Sequence, residues 1–299
     1  MAEQPSTGVL FTIDLDGTLL NPDGEVDGRD RSAVATALEA GASVMICTGR
    51  GQRMTAPVLD ALPAGCYAAC HNGALVLNPS GSVLARTYLA PVATATVVAA
   101  LLAAGLEPLV YVEEAPHDAC SRVRLLARAS ALGVAELSAY LSTKTPILRV
   151  VDDPAAAAGG LALGIATFGA AAQLGAAVAP VAAASDAVRC WSAPFRKRGA
   201  GTTYVLEVVP REGGKASALR TLSAQLGIPL QSTVAIGDNI NDLEMLEAAG
   251  TGVAMANAED AVKAAAAWTT TDNRSAGVAA AISAVLNPHG APSGAPAPV

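Results

Sequence analysis

Ring side chains are scarce in this chain: three Phe, five Tyr and two Trp, 3% of its 299 residues. That excludes cores built on aromatic stacking. Much of the 52% apolar share is Ala, so cores of Ala, Val and Leu with close helix packing are expected. The scarcity also weighs against a pocket dedicated to a flat ring. Charge is low as well, at 15% of residues and a net −7. This balance argues against a grip on nucleic acid or on an anionic membrane. An anionic substrate stays open, because a local Lys or Arg and a bound metal reverse the sign within one cleft. The five cysteines (Cys47, Cys66, Cys70, Cys120 and Cys190) are odd in number and form no CxxC pair. They read as small core residues in a reducing compartment, not as disulfides or zinc ligands. The first residues, Met1 to Thr7, lack a basic region followed by an apolar stretch, so no signal peptide is expected and the chain reads as cytoplasmic. Residues 155–185 carry no charge, a length that could span a bilayer. The segment is mostly Ala and Gly, contains Gln173 and Pro180, and has no flanking basic cluster. It reads as a strand, Leu161 to Phe168, and a helix, Ala170 to Ala184.

What is present is concentrated in Phe11-Thr12-Ile13-Asp14-Leu15-Asp16-Gly17-Thr18-Leu19-Leu20. An apolar run of buried-strand character ends in two carboxylates one residue apart, then breaks at Gly-Thr. In open α/β sheets ligands collect beyond the strands' carboxyl ends. Two acids there repel each other and lose hydration unless a cation neutralises them, so Asp14 and Asp16 read as a divalent-metal and reaction site.

The pattern around this motif is strand (Val9 to Ile13), helix (Asp30 to Ala40), strand (Ala42 to Cys47), helix (Gln52 to Ala61) and strand (Cys66 to Cys70). It predicts a doubly wound parallel sheet with helices on both faces, a Rossmann-like α/β core. Gly73 to Leu77 and Val83 to Thr87 read as a hairpin around Asn78-Pro79-Ser80-Gly81. From Pro91 to Val209 helices alternate with strands (Pro108–Val112, Ile147–Val151, Leu161–Phe168, Ala187–Ser192 and Thr202–Val208), none ending in an acidic or Gly-rich cluster. Glu113-Glu114 reads as a solvated strand end, and Arg196-Lys197-Arg198 as a solvated loop. The first rhythm returns with a helix from Lys215 and a strand, Thr233 to Ile236, that runs into Gly237-Asp238-Asn239-Ile240-Asn241-Asp242. An α/β domain inserted into one sheet explains why strand-end acids occur at both ends of the chain. The expected division is a core of 1–87 and 209–286, an inserted domain of 88–208, and a tail from 287 to 299 too poor in large apolar groups to fold.

Asp14, Asp16, Thr48, Lys215, Asp238 and Asp242 all lie at strand ends or helix starts of the repeated unit, which converge on one crevice. Carboxylates there suit a hard cation such as Mg2+. Thr48 is read as heading a helix whose N–H groups favour an anion, and Lys215 as the positive charge that phosphate requires. A first-turn lysine opposes the helix dipole unless an anion is near. The set suits phosphoryl transfer, where positioning and charge neutralisation dominate. His71, His117 and His289 show no ligand spacing.

DxDGTLL, CTGR, GGKASAL and GDNINDLEML, in that order, resemble the four motifs of the haloacid dehalogenase superfamily. The spacing resembles its Cof-like phosphatases, which carry a large α/β (C2-type) cap between the second and third motifs. His71-Asn72-Gly73-Ala74, Val253-Ala254-Met255-Ala256-Asn257-Ala258 and Thr271-Asp272-Asn273 are similar to the same subgroup. The resemblance implies that Asp14 attacks phosphorus and forms an aspartyl-phosphate, and that Asp16 protonates the leaving oxygen and then activates water. It implies that Asp14, Asp238 and the Asp16 backbone carbonyl hold Mg2+, with Asp242 supporting the metal or Lys215. Thr48 would bind a phosphate oxygen and Lys215 would balance charge, while Asn241 helps order its loop. Gly49, Arg50 and Asn72 are the further candidates for substrate contact. Arg50 touches substrate or the Asp16 loop or, alternatively, is a solvated helix-start residue, and Asn72 alternatively makes a turn. The function implied is a Mg2+-dependent phosphatase for a small phosphorylated metabolite, first a sugar phosphate. The alternatives are a phosphomutase, a phosphatase for flavin or pyridoxal phosphates, and a non-catalytic phosphate-binding regulator. No nucleic-acid or membrane partner is expected, and either a monomer or a homodimer is.

Overall fold

The computed structural model describes residues 8–117, 120–196 and 202–287. The tail reading from 288 onward and the Lys197-Arg198 reading lie outside them. The chain divides into two compact units, Met1–Ala85 with Lys215–Val299, and Arg86–Gly214.

In the first unit, β1 (Leu10–Asp14) is followed by α1 (Gly28–Glu39), β2 (Ser43–Cys47), α2 (Gln52–Ala61), β3 (Tyr67–Cys70), β4 (Leu75–Leu77) and β5 (Val83–Arg86). Every residue of β1 is buried, as a central strand covered on both faces requires. Asp27 starts α1 by accepting the Arg29 N–H. The hairpin expected around Asn78 is present, its side chain accepting from the N–H groups of Ser80 and Ser82.

The second unit contributes α3 (Pro91–Ala103), β6 (Leu109–His117), β7 (Cys120–Ala127), α4 (Ala135–Ser142), β8 (Leu148–Val150), α5 (Pro154–Ala158), β9 (Ala162–Gly169), α6 (Ala171–Ala184), β10 (Val188–Arg196) and β11 (Thr202–Pro210). Its six strands form a sheet in the order β10-β11-β9-β6-β7-β8. The uncharged stretch 155–185 holds most of α5, the wholly buried β9 and all of α6. Among the described residues no helix is long and apolar enough to cross a membrane.

The chain then returns with α7 (Lys215–Leu226), β12 (Thr233–Gly237), α8 (Leu243–Ala248), β13 (Thr251–Ala254), α9 (Asp260–Ala265), β14 (Trp268–Thr269) and α10 (Gly277–Leu286). The first unit's eight strands lie in the order β14-β13-β12-β1-β2-β3-β4-β5. The six from β14 to β3 are parallel, and β4 turns back antiparallel on β3. This is the doubly wound α/β sheet read from the sequence. Its order reverses at β1, flanked by β2 on one side and β12 on the other. A crevice therefore opens where the carboxyl ends of β1 and β12 part.

Three readings need correction. The strand read as Pro108–Val112 continues through Glu113 and Glu114, and β7, which was not read as a strand, pairs with it. Glu113 is not a solvated strand end: its side chain is fully buried and meets Arg86 at 2.9 Å and the Tyr88 hydroxyl at 2.5 Å. Nor does Thr48 head a helix. The helix α2 starts at Gln52 with Gly51 before it, because Thr48 still continues the pairing of β2 with β3, donating its N–H to the Ala69 carbonyl.

Candidate active site

Beyond Asp14 the chain curls back, with Leu19 and Leu20 donating to the carbonyls of Asp14 and Leu15. Gly17 makes this loop possible. Its φ is +92°, and a Cβ there would lie 2.2 Å from Asp238 Oδ2, so any other residue would displace the acid. Thr18 donates its hydroxyl to Asp238 Oδ1 at 3.1 Å.

The loop after β12 is organised by its own side chains. Asn239 caps a single 3-10 turn, Ile240–Asp242, and Asp242 Oδ2 accepts from the N–H groups of Asp238 and Asn239 at 3.1 and 3.0 Å. The other Asp242 oxygen accepts from Lys215 Nζ at 2.6 Å. Lys215, at the first position of α7, also donates to Asp14 Oδ1 at 2.5 Å, and all three side chains are almost completely buried. A buried ammonium is tolerable only with such partners, and two carboxylates supply them.

Asp14, Asp238 and Asp242 offer oxygen atoms within 4.8 Å of one another. Burial, then the Asp242 charge, push Asp14 well above the ordinary carboxylate range against the pull of Lys215. Burial, then the same neighbour, push Asp238 up to about 7. Burial weakens proton binding at Lys215, but Asp14 and Asp242 outweigh it and hold the ammonium charged. Three carboxylates against one lysine leave the cluster short of positive charge. An all-oxygen donor set of this kind fits a hard divalent cation. Asp242 is the most heavily engaged of the three, accepting from two backbone N–H groups and from Lys215.

Asp16 is not in the cluster. Its side chain is 56% exposed and accepts two bonds from Arg50, from Nε at 2.8 Å and Nη2 at 2.5 Å. Of the readings left open for Arg50, the geometry shows the contact with Asp16. Thr48 is buried, its hydroxyl accepting from the Arg50 N–H at 3.1 Å. Asn72 is left-handed (φ +54°), donates its N–H to the Thr48 carbonyl, and accepts from Asn241 Nδ2 at 3.1 Å. A Cβ on Gly49 would lie 3.1 Å from the Asn72 amide. Thr48, Gly49, Asn72 and Asn241 thus form one ring of loops beside the acids.

Two residues at the acid cluster were missed as site candidates. Besides Thr18, Asn257 donates Nδ2 to the Gly17 carbonyl at 2.8 Å and to Asp238 Oδ2 at 3.4 Å. Its Oδ1 accepts from the Asn273 N–H, and Asn273 Nδ2 donates to the Leu20 carbonyl. The signal was present in Val253 to Ala258 and Thr271-Asp272-Asn273, motifs noticed without a role. The four cysteines whose side chains are described, Cys47, Cys66, Cys70 and Cys190, are free thiols, as read.

The chain matches the model of the haloacid dehalogenase-like hydrolases over residues 11–116 and 198–282. It is 30% identical to the 5-amino-6-(5-phospho-D-ribitylamino)uracil phosphatase YwtE of Bacillus subtilis, over 93% of this chain and 98% of that protein. It is likewise 30% identical to the pyridoxal phosphate phosphatase YbhA of Escherichia coli, over 90% and 96%. Among solved structures, a haloacid dehalogenase-like hydrolase from Bacteroides thetaiotaomicron superposes with a TM-score of 0.71 at 26% identity, covering 93% of this chain and 99% of that one.

Proposed function

The chain belongs to the haloacid dehalogenase-like hydrolases, and from that premise we propose that it is a Mg2+-dependent phosphatase of small phosphorylated metabolites. The observation that carries the reading is Asp14. It is a buried carboxylate at the sheet's reversal point, with one oxygen 2.5 Å from Lys215 and Asp238 beside it. Asp14 attacks the phosphorus; the P–O bond to the leaving alcohol breaks and an aspartyl-phosphate forms. Water then attacks that phosphorus, returning the Asp14 carboxylate and releasing phosphate. Asp14, Asp238 and the Asp16 carbonyl would hold Mg2+, which supplies charge neutralisation for the phosphoryl oxygens when bound.

Lys215 offsets the charge on Asp14 and phosphate, and Asp242 keeps the lysine in place. Thr48 is assigned to a phosphate oxygen. Asp16 is assigned to proton transfer. Two bonds from Arg50 fix where that carboxylate stands. Gly49, Asn72 and Asn241 are assigned to shaping the rim that receives the phosphate.

A sugar phosphate is the first substrate class. Tyr140, Phe168 and Phe195 pack on one another at centroid distances of 4.4 to 5.8 Å. Rings spent on a core do not furnish a slot for a planar substrate. The second reading, a flavin or pyridoxal phosphate, is favoured by two relatives that are phosphatases of ring-bearing phosphates, a phosphoribitylamino-uracil and pyridoxal phosphate. Hydrolysis of an aryl phosphate with Mg2+, its loss to a chelator and its loss in a folded Asp14→Asn variant test the chemistry. Undiminished turnover by that variant would reject the assignment of Asp14. A screen of phosphorylated metabolites separates the two substrate classes.

A further inference from the structure

The second unit contains a cavity of about 700 Å3 on the side of its sheet that carries α5. In β6 and β7, Glu114 stands opposite Arg122 and Val112 opposite Arg124; in β7 and β8, Leu126 stands beside Arg149. Alternate residues of a strand share a face. Arg122, Arg124 and Leu126 therefore enter the cavity from one strand, Val112 and Glu114 from a second and Arg149 from a third, and all six line it.

The charges do not balance there. Arg124 is held by Glu114 at 2.8 Å. The other acid in the lining, Glu113, is already neutralised by Arg86 from outside it. Arg122 and Arg149 have no acidic partner among the described residues, in a chain whose 26 acids outnumber its 19 lysines and arginines. Both are exposed at the cavity's rim, where water solvates them and an anion can reach them. The guanidinium is the side chain whose flat fork matches phosphate oxygens in pairs. The volume is that of a metabolite-sized site, and Val112 and Leu126 give it an apolar floor.

We propose that this cavity binds a small polyanionic phosphate compound, separately from Asp14. The charge imbalance supplies most of the attraction, so inorganic pyrophosphate is a sufficient probe. It would be titrated calorimetrically into the full chain at low salt with chelator present. One binding event is expected, weakened at least tenfold in Arg122→Ala/Arg149→Ala. The double variant should keep its Mg2+-dependent turnover of an aryl phosphate, which also shows that it is folded. Hydrogen exchange on the unaltered chain gives a reading independent of any variant, with pyrophosphate expected to protect residues 120–127 and 148–150. No binding by the unaltered chain, equal binding by the double variant, or protection confined to the loops around Asp14 would each overturn the proposal.

Discussion

Lys215 shows how much one buried charge constrains its neighbours. Its ammonium is buried, so it requires both Asp14 and Asp242, and removing one partner of a buried pair typically costs about 3–5 kcal/mol. Asn257 is a finer case. It ties the Gly17 carbonyl to Asp238 from an exposed position, so it should tune the acid without holding up the fold. Asn257→Ala is expected to raise the Mg2+ concentration for half-maximal turnover several-fold while sparing the rate at saturating Mg2+. A Mg2+ titration of steady-state rates checks this; an unchanged midpoint rejects it. Asp30 makes a prediction about stability. It is buried in α1, accepts from the Ala279 N–H at 2.7 Å, and burial raises its pKa to about 6. An unfolded Asp titrates near about 3.9, so the folded form binds the extra proton between those values. Its contribution therefore worsens as pH rises through that window, and above pH 6 the charged form is a cost. Asp30→Asn keeps the acceptor and should stabilise the protein at pH 7.5 by about 1–3 kcal/mol, from about 1.4 kcal/mol per pKa unit. The gain should vanish near pH 4, and urea unfolding at both pH values reads it.

At the scale of elements, chemistry follows from how two strands end. Asp14, the last residue of β1, meets Asp238 and Asp242 from the segment after β12 that holds the self-capped 3-10 turn, while the glycine loop after β1 leaves room for Asp238. Gly237 is part of that arrangement: a Cβ there would lie 2.6 Å from Asp242. In the second unit, β6 carries a different device. Glu113 is buried mid-strand and binds Arg86 and Tyr88 of the segment entering the unit. Glu113→Ala would remove the buried carboxylate that Arg86 and Tyr88 both meet, and a loss of about 3 kcal/mol is expected. The thermal unfolding midpoint should fall accordingly. Aryl phosphate turnover below that midpoint should survive, because neither residue belongs to the acid cluster. A midpoint within a degree of the unaltered protein would show that the pair contributes nothing net.

At the scale of the whole molecule, the first unit has a core of its own, centred on Phe11, Ile13, Met45, Ile46 and Ile236, and the second has its own around Val97, Leu101, Ile165 and Leu206. All the carboxylates and the lysine assigned to chemistry lie in the first unit. We assign discrimination among substrates to the second. Replacing residues 88–208 with a short linker should then leave slow, Mg2+-dependent hydrolysis of an aryl phosphate and abolish preference among metabolites. A shortened, folded chain that keeps the full preference order would reject this division.

The sequence by itself determined the parallel sheet and the acids at its strand ends. Apolar runs ending in Asp14 or in Gly237-Asp238 carry their position locally, since a buried strand and its exit are written in consecutive residues. Only the tertiary structure decided which acids share a point. Asp14 lies 228 positions from Asp242, and no local pattern says that Lys215 bridges them while Asp16, two residues on, turns away to Arg50. Thr48 and Glu113 were misread for the same reason: the backbone of one and the carboxylate of the other are spent on distant partners, Ala69 and Arg86. β7, where Arg122 and Arg124 alternate with Val123 and Leu125, was missed, and its pairing shows only when β6 and β8 are laid beside it. Burial and pairing are properties of the packed molecule, and they decide what a charged side chain does.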